Sequence, residues 1–106
     1  MKHMELGFGG LIRLTELTGK KLGEVFKEIG EDPDLALIRD IYMAARYFEA
    51  PELSRIEAEK EIDEAIQTEK EGFLGVLKAV TEVVRNCSMF KKTGNKEKKI
   101  PVKKSE

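Results

Sequence analysis

Few side chains in this chain have the type and spacing that chemistry asks for. The one histidine, His3, lies at the start of the sequence, and the one cysteine, Cys87, falls on an apolar stripe. A single cysteine permits no intramolecular disulfide and no zinc site built from several thiolates. Cys87 can be read as a reactive thiol, but its apolar neighbours favour an inert buried one. The carboxylates Glu57, Glu59, Glu61, Asp63 and Glu64 are closely spaced. Acid–base pairs need an apolar pocket that separates their pKa values, whereas these sit on a heavily charged segment and read as a solvated outer face. Gly7-Phe8-Gly9-Gly10 lacks the lysine and following Ser/Thr of a phosphate-binding loop and reads as a flexible lead-in. The inventory points to a protein that is not an enzyme and that needs no cofactor and no metal.

Charge narrows the partners. The chain of 106 residues has 37% charged residues and a formal net charge of −1. From Lys91 to Glu106 seven lysines face two glutamates, a net of +5, which leaves −6 on Met1–Phe90. An acidic body makes nucleic acid binding unlikely for the folded part, because phosphate contacts require positive charge on the contacting surface. The lysine tail is itself open to three readings: a solvated end, a contact for phosphates or a membrane surface, and the tail of a known family taken up below. No run approaches the ~18 apolar residues of a membrane span and no signal peptide is visible, so residence in the cytoplasm is the expectation.

The elements that would position any site are arranged around Asp34–Phe48, the least polar long segment. Leu35, Ile38, Ile41, Tyr42, Ala45 and Phe48 step by three and four, and Leu37 and Ala44 widen the stripe beyond half the circumference. This is the expected central helix, capped by Asp32-Pro33 and ended at Ala50-Pro51. Before it, three glycines between Gly7 and Gly10 argue against a helix start, so a short helix is expected from Leu11 to Leu17, stopped at Gly19. A second runs from about Leu22 to Ile29 and is closed by Gly30. After it, Ser54-Arg55-Ile56-Glu57 has the capping-box pattern and opens a charged helix, Arg55–Gln67, with a narrow stripe of Ala58, Ile62, Ala65 and Ile66. Thr68–Glu71 repeats the box and announces a last helix through about Asn86, striped by Phe73, Leu77, Val80, Val84 and Cys87. Phe90 would close the core.

The expected fold is therefore all-α: a single small domain, residues 1–90, of about four to five helices around a central apolar helix. Residues 91–106 form a lysine-rich tail with too little to bury against its ordering entropy, and disorder is expected there.

The order and spacing of these segments resemble the tail assembly chaperones of long-tailed bacteriophages and prophages. The resemblance covers about Leu6 to Lys92. It rests on the glycine-interrupted lead-in and leucine-rich turn LIRLTELTGKKLGEVF, the acidic loop and apolar helix EDPDLALIRDIYMAARYF, the charged helix SRIEAEKEIDEAIQ, and VVRNCSMFKK. Members of that family often begin with a short β-hairpin carrying more residues than Met1–Phe8 supply. What the resemblance implies is a non-catalytic protein of the bacterial cytoplasm, absent from the finished virion, that coats the tape measure protein and recruits tail tube subunits. It also implies homo-oligomers, and in many members a longer frameshifted product; Lys98-Lys99 and Lys103-Lys104 are places where paired lysine codons would allow slippage.

Central and last helices that are apolar beyond what short neighbours can bury would leave a groove or patch for a partner helix. Tyr42, Phe48, Phe73 and Leu77, on the widened stripes, are the residues expected to border it; the alternative is that all four are ordinary core. Two other readings stay open. One is a small helix-turn-helix DNA-binding regulator using Leu17–Ile38, Asp34–Phe48 and the basic tail, and the other is a helical interaction module of another system.

Overall fold

The computed structural model describes residues 1–87. These form five helices: α1 (Phe8–Thr18), α2 (Leu22–Glu31), α3 (Leu35–Arg46), α4 (Arg55–Thr68) and α5 (Phe73–Arg85). No strand occurs among the described residues, and Met1–Gly7 is neither helix nor strand. The expected disordered tail and the core closure by Phe90 lie outside the described residues.

The central position of α3 follows from its composition. Nine of its twelve residues are buried: Leu37, Ile38, Asp40, Ile41, Tyr42, Met43, Ala44, Ala45 and Arg46. α1, α4 and α5 all pack on it, and α2 packs on α1 and sends Val25 into the main core. Around it Leu6, Leu11, Leu14, Val25, Ala65, Val76, Val80, Val84 and Cys87 complete the main core, while Tyr42, Met43 and Ala58 form a smaller cluster with Met4, Leu17, Leu53 and Ile62 at its edge.

Four local expectations are corrected. The glycines at 9 and 10 do not delay α1, which begins at Phe8. Gly10 is where α1 crosses α3: a Cβ there would lie 2.7 Å from the Ala44 carbonyl oxygen, so the residue is helical and small because the neighbouring backbone is that close. α3 is capped by Asp34, not Asp32; the Asp34 carboxylate accepts from Leu37 N at 2.8 Å. Its regular part ends at Arg46, earlier than Pro51 alone requires. The Arg46 carbonyl still accepts the N–H groups of Glu49 and Ala50, at 3.0 and 2.8 Å, so a partly helical turn carries the chain on toward the proline.

The fourth concerns Thr68, which closes α4 instead of capping α5. Its hydroxyl donates back to the Glu64 carbonyl at 3.0 Å. α5 starts after Gly72, whose φ of 61° is left-handed and suits glycine. The turn folds Glu69 against α5 so closely that a Cβ on Gly75 would lie 3.2 Å from the Glu69 Cβ. By contrast, the Ser54–Glu57 capping box is present in full, with Glu57 N donating to Ser54 Oγ at 3.1 Å and Ser54 N to Glu57 Oε1 at 2.9 Å.

Candidate interaction surface

The four residues expected to border a partner surface are not brought together. Tyr42 belongs to the core, 1% exposed, because its position on α3 faces α4. Its hydroxyl donates to Glu61 Oε1 at 2.6 Å, and burial together with this acceptor raises the phenol pKa well above its ordinary value. Leu77 is half-buried against the main core. Phe48 lies beyond the end of α3, in the following turn, exposed and edge-on to the His3 ring at 5.7 Å between centroids. Phe73, the first residue of α5, is 39% exposed and does border an open groove.

That groove, of about 380 Å³, runs between the start of α3, the outer edge of α4 and the start of α5. Ile38, Ile62 and Ile66 supply its apolar lining, and Leu35 and Phe73 stand at its borders. Leu35 is 70% exposed. With Phe73 and the isoleucines beside it, Leu35 forms a contiguous apolar surface, the kind of feature that marks interaction sites where a single exposed leucine would not. The rim is polar: Arg39 Nη1 donates to Glu59 Oε2 at 3.1 Å, and Asp63 lies further along α4. The spacing of Ile62 and Ile66 follows from the narrow stripe of α4, and Leu35 is exposed because it occupies the first helical position, before α3 turns its apolar face inward.

The sequence reading missed a charged network on α3. Asp40 and Arg46 are 5% and 7% exposed. Asp40 Oδ1 accepts from Arg39 Nε at 3.1 Å and lies 3.8 Å from Arg55 Nε, while Arg55 Nη2 donates to the Leu17 carbonyl at 3.2 Å; α1, α3 and α4 are thereby tied at one point. Arg46 Nη1 donates to the His3 carbonyl at 2.9 Å and to Glu49, and its Nε is 3.7 Å from Glu61 Oε1 without a hydrogen bond. The available signal was the width of the α3 stripe. Charges on a helix buried over more than half its circumference must be partly buried themselves, and so must find partners. Glu61 is the exception to the solvated acidic face of α4; Glu57, Glu59, Asp63 and Glu64 are exposed. Cys87 is buried, 1% exposed, as the inert reading of that thiol expects.

Among the described residues no cluster of three or more His, Cys, Asp or Glu side chains has the arrangement of a metal site, and no helix is long and apolar enough to cross a membrane. The burial of α3 also bears on the DNA-binding alternative. A recognition helix must present one side to a groove, and α3, with nine of twelve residues buried, has little side left to present. No protein-family model, curated protein or solved structure matches the chain.

Proposed function

We propose that this protein is a non-catalytic protein-binding module, a phage tail assembly chaperone that binds the tape measure protein and helps recruit tail tube subunits. The observation that supports binding is the exposure of Leu35 and Phe73 at the borders of a groove lined by isoleucines on an acidic domain. An amphipathic helix with apolar residues three and four apart is the chemistry such a groove takes, since its anchors match the spacing of Ile62 and Ile66. The choice of tape measure and tail tube proteins as partners rests on the resemblance of the helix order to that family.

Co-expression tests the reading. The protein is produced together with a tape measure protein from the same genome, and the soluble fraction of the latter is measured. Wild type should keep the long helical protein in solution and co-purify with it, and Leu35→Asp should not. An equal soluble fraction with wild type, with Leu35→Asp and with no added protein would count against the assignment.

A further inference from the structure

We infer that the helix received by the groove is basic and lies along α4, with a lysine or arginine against Asp63 and an apolar residue over Ile56. The inference rests on the reading of the groove as a site for an amphipathic helix, and adds the partner's charge, its line of approach and a further anchor.

α4 is the long wall of the groove. Its lining residues run from Glu59 to Ile66, about 10 Å along the helix, whereas α3 contributes only Leu35 to Arg39 from its first turns. A helix seated in the groove therefore follows α4. Toward the start of α4, Arg39 Nη1 bridges to Glu59 Oε2 at 3.1 Å. Ile56, Glu59 and Asp63 are spaced by three and four and share one side of α4, so the apolar line resumes beyond that ion pair at Ile56, 66% exposed. A partner helix about one turn longer than the groove covers Ile56 and has anchors on both sides of the Arg39–Glu59 pair.

The charges along this wall set the sign of the partner. Arg39 donates to Asp40 at 3.1 Å as well as to Glu59, and Asp40 lies 3.8 Å from Arg55, so two cations and two anions cancel at one end. Asp63 is the charge left over. It lines the groove, is exposed, and neither bonds nor pairs with any other described residue, Lys60 one turn back included. A lone carboxylate beside isoleucines attracts a cation on the arriving helix and repels an anion, and the net −6 of Met1–Phe90 acts in the same sense. An exposed ion pair changes affinity only severalfold, so Asp63 sets the preferred charge while the apolar contacts supply most of the binding.

The test uses the full chain and two synthetic helical peptides of about 18 residues, long enough to hold a helix. Both carry leucines three and four apart on one side; beside that row one has lysines and the other glutamates. Fluorescence anisotropy should show the lysine peptide binding about fivefold or more tighter. Asp63→Lys should cut that preference about fivefold. Glu64→Lys, the same change of net charge on the same helix but outside the groove, should leave most of it. Ile56→Ala should weaken both peptides about tenfold, and all three variants, at exposed positions, should melt as wild type does. If Leu35→Asp weakens binding but Asp63→Lys leaves the preference unchanged, or Glu64→Lys alters it equally, or Ile56→Ala has no effect, this inference is overturned and the groove reading stands. If neither peptide binds, or binding is indifferent to Leu35→Asp, the groove reading falls and this inference with it.

Discussion

A methyl group added at Gly10 would sit 2.7 Å from the Ala44 carbonyl oxygen and 3.1 Å from a methyl of Leu6. This contact sets how closely α1 lies on α3, and it draws the start of α1 and the segment before it onto the same face of the central helix. Gly9, one residue earlier, faces only the Tyr47 ring at 3.6 Å, an ordinary contact distance.

The two adjacent glycines should therefore respond oppositely to alanine. Gly10→Ala forces backbone apart and should cost about 1–3 kcal/mol, as overpacking does. Gly9→Ala should be neutral or stabilising by up to about 1 kcal/mol, since alanine is the better helix former. Thermal or urea unfolding of the two variants measures both.

Tyr42 should behave as core. Tyr42→Ala should cost about 3–5 kcal/mol, within the range for large side chains removed from packed interiors. Its hydroxyl makes a pH prediction as well. Burial and the Glu61 acceptor raise the phenol pKa in the folded state. A raised folded pKa contributes stability that is fully present below the unfolded value of about 10 and is lost as pH climbs from there toward the folded value. Unfolding free energy should fall with pH above about 10, and Tyr42→Phe should flatten that limb.

The Ser54–Glu57 box gives the opposite limb. Hydrogen bonds from the Ser54 backbone and side chain lower the Glu57 pKa in the folded state. A lowered folded pKa contributes stability that is present above the unfolded carboxylate value and lost as pH falls through the folded one. Glu57→Gln, which retains an acceptor for the serine N–H, should reduce the acid dependence of α4 helicity measured by circular dichroism. Ser54→Ala should cost about 1 kcal/mol at neutral pH.

The organisation around α3 was legible because its apolar spacing is long and wide, and so were the existence of all five helices and the Ser54 cap. Boundaries were less so where a side chain had two compatible roles. Asp32 and Asp34 both flank Pro33, and only the hydrogen bond from Leu37 N decides between them. Thr68 has the residue type of a cap, yet as the last residue of α4 it bonds backward. Gly10 looked like an interruption because the reason for it, the Ala44 carbonyl, is more than thirty residues away in the chain.

The groove was legible only in part. Phe73 is legible from its stripe, but Leu35, more exposed than Phe73, reads as inward-facing because helical spacing alone does not say where the first turn emerges from its neighbours. For Tyr42 and Leu77 the breadth of the apolar stripes leaves surface and ordinary core both open, and packing by α4 and the main core takes up that breadth.

The central claim, that the groove holds an apolar partner helix, is tested most directly by affinity for a purified helical segment of the tape measure protein. It should be measured for wild type and Leu35→Asp at low and at moderate salt. Aspartate is well suited to the first turn of a helix, so the variant should melt as wild type does. The account predicts affinity that changes little with salt, as apolar contacts do, and falls about tenfold or more in Leu35→Asp. Binding that weakens steeply with salt and is indifferent to Leu35 would contradict it and place recognition on charge instead.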